Sequence, residues 1–290
     1  MEIQFADNIT RTLLDILKPS LEKADEIKMG VAFVKYSGLS LIQDDIKKCL
    51  ENKGKVEFVL GLDFRTTEPK ALRTILVMAK GGLNVKLFCF SDPSSDDTPV
   101  YHPKIYLLSR EDRTVISIGS SNLTAGGLRD NVEANAIIEA SKQDEIVSDL
   151  YGIYNRFKFQ GHRFEPDFEY VDKYEEAYRV VHRRSVAALK EKSTRDKIAE
   201  LKEKEKTLPR PKPTIGELFG WQRLVYERLP EGIFQTSDMY IYEKTFQQFY
   251  PENRHIKDKI RQILQQLRDL GLVRHISENR WQRIHGGNNG

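Results

Sequence analysis

Four polar residues between positions 102 and 133 have the types and the spacing that phosphodiester chemistry requires. His102 and Lys104 lie two residues apart at the start of a predicted strand, so their side chains point to the same side. A histidine can attack phosphorus or protonate a leaving oxygen near neutral pH, because its unperturbed pKa lies near ~6.5. Lys104 can neutralise the non-bridging oxygens as charge develops. Asn122, in a Gly/Ser turn after the next strand, can donate an amide hydrogen bond to the same oxygens.

Glu133 is expected on a third strand, residues 131–139, close to the same site. A carboxylate there can accept a hydrogen bond from the second imidazole nitrogen and hold the ring, as in other hydrolases. Ser120 is expected to supply a supporting hydrogen bond. Weaker candidates for phosphate contacts are Thr124, Arg129 and Asn131. Capping of a short helical turn is an equally good interpretation of Thr124.

This set of residues resembles the signature of the phospholipase D superfamily. His102-Pro103-Lys104 matches its His-x-Lys motif, and Gly119-Ser120-Ser121-Asn122 matches its Gly-Ser-x-x-Asn motif or a close variant. The spacing and the downstream glutamate are most similar to the nuclease branch, the BfiI-type metal-independent restriction endonucleases. Ser109 stands where many members carry an aspartate. A second His-x-Lys, at His255–Lys257, has no Gly-Ser-Asn partner and is interpreted as chance.

The resemblance implies a mechanism that needs no metal and no cofactor. One histidine attacks phosphorus and forms a phosphohistidine, and a second histidine protonates the leaving oxygen. This chain supplies one complete set of motifs, and the sequence contains no internal repeat that would add another. The resemblance therefore implies a homodimer, with a shared site on its two-fold axis.

Composition narrows the class of protein. The 290 residues are 39% apolar and 31% charged, which is typical of a soluble globular chain. We expect neither a signal peptide nor a membrane span, because no apolar run approaches the ~18–20 residues that a span needs. The two cysteines indicate neither a disulfide framework nor a zinc cluster, and a cytoplasmic location is expected. A secreted or membrane-bound lipid phosphodiesterase therefore fits less well.

The formal net charge of +3 is unevenly distributed. Residues 1–170 carry 22 Lys and Arg against 26 Asp and Glu, whereas residues 171–213 carry 13 against 8 and residues 214–290 carry 11 against 9. The basic excess lies outside the part with the histidine motif. If the substrate is DNA, the second half of the chain is expected to supply much of the phosphate attraction.

Strands that alternate with helices of 10–15 residues predict an α/β fold, with a phospholipase D-like sheet covered by helices. We expect a nuclease domain over residues 1–165. Polar residues 91–99 are expected to form a surface loop beside the site, and the spacing of its three aspartates matches no metal-ligand pattern. The segment from Asp144 to Phe157 should close the domain as a helix.

Residues 166–213 are predicted to form a charged helical and Pro-rich linker. Alternating Glu and Lys with sparse apolar positions favours a solvated helical connector. A dimer-stabilising helix or an arm that follows DNA is an alternative. Proline at every second position from Pro209 to Pro213 forbids helix and predicts a stiff spacer before the next domain.

Residues 214–290 are predicted to form a winged helix-turn-helix domain. The expected elements are a helix over 215–229, a segment over 239–249, a long helix over 254–269 and a hairpin around 277–279. Arg and Gln side chains are suited to reading purine edges in a major groove, and a basic wing would lie on phosphates. The residues expected on the outward face of the long helix are Arg254, Lys257, Arg261, Gln262, Gln265 and Arg268.

This segment resembles the winged helix of the Dam-replacing restriction endonucleases. The resemblance covers nearly all of residues 215–284 and includes Lys259-Ile260-Arg261-Gln262 and Leu267-Arg268-Asp269-Leu270-Gly271. It implies binding of double-stranded DNA that carries N6-methyladenine. Trp281 is a candidate for packing on DNA or on a methyl group; packing in the core of the wing is an equally good interpretation.

The sequence therefore favours a metal-independent restriction-type DNA endonuclease directed by a winged helix. A sequence-specific endonuclease without methyl dependence remains an alternative. A lipid phosphodiesterase and a DNA-binding regulator with an inactive catalytic half fit less well, because His102, Lys104 and Asn122 are all present.

Overall fold

The computed structural model describes residues 1–62, 65–90, 100–159, 163–208 and 214–284. They form two compact units, Met1–Ile198 and Ala199–Gly290. Two predicted segments, the loop at 91–99 and the spacer at 209–213, lie outside the described residues.

The first unit is built on an eight-stranded sheet in which parallel and antiparallel strands meet. Its strands are β1 (Glu2–Ala6), β2 (Glu26–Val31), β3 (Lys55–Gly61), β4 (Val85–Phe90), β5 (Lys104–Arg110), β6 (Arg113–Gly119), β7 (Asn135–Ser141) and β8 (Arg163–Phe164). Their order across the sheet is β1-β7-β6-β5-β2-β3-β4-β8. The edge strands β1 and β8 were not predicted, because the first precedes the periodic segments and the second has two residues.

Two connection types explain this order. β2, β3 and β4 are parallel neighbours, and such pairs need long crossovers, which here are helical. β5, β6 and β7 form an antiparallel meander that joins the parallel part where β5 pairs with β2. The first residue of β5, the last of β6 and the start of β7 therefore lie at the same end of the sheet.

Helices cover both faces of this sheet, as predicted. The helices from the N-terminus to residue 207 are α1 (Leu13–Leu21), α2 (Tyr36–Glu51), α3 (Pro69–Lys80), α4 (Glu145–Phe159), α5 (Phe168–Lys190) and α6 (Lys192–Thr207). Helices α1, α2, α3 and the start of α5 share one apolar core with the sheet, and α4 packs on the opposite face. Val171 and Tyr174 bury the first turns of α5 in the first unit, whereas α6 has no buried residue.

The second unit contains α7 (Gly220–Tyr226), α8 (Glu243–Phe249), α9 (Ile256–Asp269) and the strands β9 (Ile233–Gln235), β10 (Val273–Ser277) and β11 (Arg280–Arg283). The strands form one sheet in the order β10-β11-β9. This succession of helices and a β10–β11 hairpin is that of a winged helix, as predicted.

Three details of the second unit differ from the sequence prediction. The helix expected over 215–229 is reduced to α7, because Gly220 adopts a left-handed φ of 54° and interrupts the segment. Strand β9 was not anticipated. The long helix begins at Ile256, so Arg254 precedes it.

Candidate functional site

His102 and Lys104 lie where the chain enters β5. His102 is exposed, whereas Lys104, the first residue of the strand, is only 8% exposed. Tyr101 fixes the backbone just before them: its ring stacks on Phe90 with centroids 4.7 Å apart, and its hydroxyl donates to the Val59 carbonyl at 3.3 Å. The histidine is therefore presented on an anchored turn.

The Lys104 ammonium sits directly against the His102 ring. Its Nζ lies 2.6 Å from Nδ1 and 3.1 Å from Nε2, and it also donates to the His102 carbonyl at 3.0 Å. A neutral imidazole has one acceptor nitrogen, so the ammonium can donate to only one of the two. This contact brings together the nucleophile and the positive charge that the chemistry requires.

Burial lowers the pKa of Lys104, while the nearby Glu133 carboxylate acts in the opposite direction. A partly desolvated ammonium interacts more strongly with an incoming phosphate than an exposed one would, because the local dielectric is lower. Glu133 is thus an electrostatic partner of Lys104.

The Gly-Ser-Ser-Asn turn requires a glycine because two backbones approach closely. A Cβ on Gly119 would lie 2.2 Å from the Ala134 carbonyl, so the end of β6 could not pass the start of β7. Asn135 then fastens the turn: its side chain accepts from the Ser121 amide at 3.3 Å and donates to the Ser121 hydroxyl at 2.9 Å.

Asn122 is 8% exposed and its amide is oriented by the neighbouring chain. The Phe33 backbone N–H donates to Asn122 Oδ1 at 3.2 Å. Since a backbone N–H can only donate, the oxygen is fixed as the acceptor and the amide nitrogen is left as the donor for a phosphate oxygen.

Ser120 and Glu133 form a separate pair. The Ser120 hydroxyl donates to Glu133 Oε2 in a short hydrogen bond and accepts from the Ala134 amide at 2.9 Å. Asn131 Nδ2 donates to the other carboxylate oxygen at 3.4 Å. The hydrogen bond that Ser120 donates therefore goes to Glu133.

Glu133 differs from its prediction in two respects. It lies in the loop before β7, which begins at Asn135, because Glu133 N–H bonds to the Asp7 carbonyl instead of pairing with β6. It also makes no hydrogen bond to His102 of the same chain; its carboxylate partners are Ser120 and Asn131.

Ser109, the departure from the family pattern, lies at the other end of β5. At about 3.3 Å per residue, five residues place it roughly 16 Å from Lys104. It is fully buried, and its hydroxyl bonds to Thr114 at 2.9 Å and to Tyr151 at 2.7 Å. The Tyr151 hydroxyl donates in turn to Glu26 at 2.8 Å. This position therefore belongs to a structural network remote from the histidine.

The weaker phosphate candidates have local partners. Thr124 Oγ1 accepts from the Gly127 amide at 2.8 Å, which is the capping role. Arg129 forms an ion pair with Asp130 at 2.7 Å. Sequence reasoning missed Tyr101, the Phe33 amide and Asn135, which position the site without a recognisable motif; only the buried aromatic next to His102 could have been noticed.

Within the described ranges, no group of three or more His, Cys, Asp or Glu side chains is arranged to hold a metal ion. Cys49 and Cys89 are buried, and they form no disulfide with each other. None of the described helices is both long enough and apolar enough to cross a membrane.

The polar residues predicted to contact DNA from the long helix lie on α9 or directly before it. Lys257, Gln265 and Arg268 are exposed there, and Arg254 is exposed just before the helix. Lys257 lies 3.4 Å from Glu243, and Arg268 pairs with Asp269 at 2.8 Å. Gln262 is half-buried and accepts from Lys259 at 2.9 Å.

The Arg261 side chain of α9 contacts Tyr240, a residue that lies outside this helix. Its Nε donates to the tyrosine hydroxyl at 3.0 Å, and its guanidinium also pairs with Asp258. The Lys257 ammonium lies 5.5 Å from the centre of the same ring. Tyr240 thus supports two cations of the outward face, a role that the sequence did not reveal.

Trp281 belongs to the core of the wing. It is 6% exposed, and its Nε1 donates to Thr236 Oγ1 at 2.9 Å. His275 packs against its ring with centroids 4.7 Å apart. The core interpretation is the correct one, and the indole is not available for a DNA base or a methyl group.

Comparison with known families agrees with the predicted phospholipase D-like domain and with the predicted winged-helix domain. A family model described as a cardiolipin synthase, PLD-like domain matches residues 21–156, and one described as a Dam-replacing HTH domain matches residues 223–283. The chain therefore carries a phospholipase D-like domain followed by a Dam-replacing winged-helix domain. No curated protein sequence matches it.

Solved structures similar to this chain include two proteins that are matched over nearly their whole length. NucT from Helicobacter pylori is 12% identical with a TM-score of 0.40, covering 54% of this chain and 95% of its own. The phospholipase D family member Nuc from Salmonella typhimurium is 15% identical with a TM-score of 0.43, covering 57% and 99%. Phosphatidylserine synthase from Haemophilus influenzae is 14% identical with a TM-score of 0.45, covering 65% and 46%.

Proposed function

We propose that this protein is a DNA endonuclease of the restriction type that hydrolyses phosphodiester bonds without a metal ion. The observation that carries the proposal is the contact of the Lys104 ammonium with the His102 ring, beside an oriented Asn122 amide. A nucleophile, a positive charge and an amide donor are the groups that phosphoryl transfer through a histidine needs. The winged helix supplies a surface for the DNA.

The reaction proceeds in two steps at a site shared by two chains. A His102 nitrogen attacks phosphorus, a phosphorus–nitrogen bond forms, and the bond to the leaving oxygen breaks. The partner subunit's His102 gives that oxygen a proton. The partner's histidine then removes a proton from water, which attacks phosphorus and releases the first His102. Each chain provides one histidine, so dimerisation is part of the chemistry.

The neighbouring side chains have distinct roles in this mechanism. Lys104 and Asn122 bind the non-bridging oxygens as their charge increases. Glu133, held by Ser120 and Asn131, favours the protonated form of Lys104, because its charge offsets part of the lowering of the Lys104 pKa by burial. This role replaces the direct orientation of His102 that was expected within one chain.

The proposed target is double-stranded DNA, bound through α9 and the wing. Recognition of N6-methyladenine is proposed from the Dam-replacing domain alone. Sequence-specific cutting without methyl dependence is a second candidate. The burial of Trp281 favours it, because the aromatic residue considered for a methyl contact is occupied in the core.

Plasmid cleavage in EDTA tests the proposal, with adenine-methylated and unmethylated DNA side by side. Wild-type protein should produce discrete fragments, and His102→Ala should produce none while still binding the plasmid. His182→Ala, which removes an exposed histidine that stacks on Tyr178 in α5, is the matched control and should cut normally.

The outcomes separate the parts of the proposal. Fragments from methylated DNA alone support methyl recognition, and equal cutting of both substrates retains the nuclease and excludes the methyl sensor. Cutting that begins only when a divalent metal is added, or that persists at the wild-type rate in His102→Ala, excludes the mechanism.

A further inference from the structure

The apolar face of the large sheet extends beyond the helix that covers it. On the side of α4, cross-strand neighbours form a row from Leu107 through Ile116 and Ile138 to Ile3, whose exposures are 0%, 0%, 8% and 50%. Exposure therefore rises steadily toward the edge strand β1, although every residue in the row is a large aliphatic side chain.

The next row shows the same gradient nearer the site. Ile105 is 4% exposed, Ile118 is 37% exposed, and Phe5, beyond Ala136, is 75% exposed. We call Ile3, Phe5 and Ile118 the β1 apolar face. In the described part of the chain, α4 covers the central strands of this side and leaves these three side chains open to solvent.

The pattern of β1 is the reverse of that expected for a strand with one solvated face. Alternate residues point to opposite sides, so Ile3 and Phe5 share the open side while Glu2 and Gln4 point toward the side of α1 and α2. If the open side of β1 faced only solvent, polar residues such as Glu2 and Gln4 would be expected on it. A strand that exposes its apolar residues indicates a surface that is covered by another protein surface.

The β1 apolar face borders the proposed catalytic site. Ala6 pairs with Asn135, which pairs with Gly119 of the Gly-Ser-Ser-Asn turn. The Glu133 amide donates to the Asp7 carbonyl, just after β1. Val132, next to Glu133, is 77% exposed and enlarges the apolar region on the side of the site.

We infer that a second copy of this chain covers the β1 apolar face. The inference rests on the proposed function, because a site with one histidine per chain is incomplete until another copy meets it at its border. A two-fold contact is self-complementary, so the same face on each copy can serve. An aromatic anchor surrounded by aliphatic side chains is the composition of an interface centre.

Charge substitution on this face tests the inference. Phe5→Lys and Ile3→Lys each place a cation on an exposed edge strand, where lysine is well tolerated by the fold. Val77→Lys is the matched control, since Val77 is 54% exposed on α3, on the other side of the sheet. Molar mass is measured by light scattering over a range of protein concentrations, with circular dichroism to confirm folding.

We expect the wild type and Val77→Lys to have the mass of two copies. Phe5→Lys should dissociate at concentrations roughly thirty-fold higher or more, because loss of a central aromatic anchor typically weakens an interface by at least that factor. Its cleavage rate should rise with the square of protein concentration. A wild type with the mass of one copy, or a Phe5→Lys variant as dimeric as the control, would overturn the inference.

The mass measurement needs no DNA and no cleavage, so it separates this inference from the proposed function. A dimeric wild type that never cuts DNA, together with a monomeric Phe5→Lys variant, would reject the nuclease and uphold the interface. A monomeric wild type that cuts through His102 would reject the interface and the shared two-chain site, and would retain a nuclease that acts through His102.

Discussion

At the scale of single residues, the proposed chemistry depends on a lysine that is mostly removed from water. Lys104 needs its charge to stabilise phosphate oxygens, yet burial disfavours that charge and lowers its pKa. Glu133 offsets part of this effect without contacting the histidine. The pKa of Lys104 therefore depends on two opposing effects: burial lowers it, and the Glu133 carboxylate, which accepts a hydrogen bond from Ser120, raises it.

The balance predicts a specific pH dependence of cleavage. Activity should fall as pH rises through the lowered pKa of Lys104, below the ordinary lysine value of ~10.4. Glu133→Gln removes the charge that raises this pKa, so the alkaline limb of kcat/KM should move to still lower pH. Glu139→Gln, on the exposed pair with Arg113, is the control and should not move it. An alkaline limb that stays in place or moves upward in Glu133→Gln would contradict this account of Lys104.

The residues of the site differed in how far the sequence predicted them. His102, Lys104 and Asn122 could be selected from residue type and spacing, although His102 precedes β5 and only Lys104 lies in that strand. The hydrogen-bond partner of Glu133, by contrast, could not be predicted from the sequence. Its choice between His102 and Ser120 depends on a loop that hydrogen-bonds to Asp7, more than a hundred residues away in the chain.

At the scale of secondary-structure elements, Tyr240 links the short helical segment Thr236–Tyr242 to the outward face of α9. Its hydroxyl accepts from Arg261 and its ring lies near Lys257. An arginine held in one position loses less side-chain entropy when it binds DNA than a free one does. If α9 binds DNA as proposed, Tyr240 prepares it for binding although Tyr240 lies outside that helix.

Tyr240→Phe tests this preparation. The variant keeps the ring and removes the acceptor, so DNA affinity should fall by roughly three- to ten-fold, about the net contribution of one ordinary intramolecular hydrogen bond. Fluorescence anisotropy in the His102→Ala background measures binding without cleavage. Tyr242→Phe, in the same segment and packed on Phe246, should bind normally. Equal affinities for the two variants would show that Tyr240 does not position Arg261.

Elements with strong periodicity were predictable, and those set by tertiary pairing were not. The apolar stripe of α9 predicted a helix over 254–269, and the observed helix begins two residues later and ends at the same residue. By contrast, β1, β8 and β9 are short and exist because a neighbouring strand offers a free edge. The orientation of Trp281 likewise depends on Thr236, which lies 45 residues earlier.

At the scale of the whole molecule, binding and chemistry are assigned to different parts of the chain. The part with His102 is net acidic, whereas residues 171–290 carry the basic excess. Under the proposed function, phosphate attraction is expected mainly from the second half, and in the first half Lys104 is the cation that contacts His102. The proposed need for a second copy follows from the single histidine motif, whereas the proposed surface that meets it could be identified only from the exposures along the sheet.

Trapping of the covalent intermediate tests the central claim most directly. Duplex DNA, labelled at either end in separate samples, is incubated with the protein in EDTA and quenched in alkaline denaturant, because a phosphohistidine survives base and is lost in acid. We expect label from one end to migrate with the protein during turnover, to disappear after acid treatment and to be absent with His102→Ala. Efficient cutting without any protein-bound label from either end would contradict attack by His102.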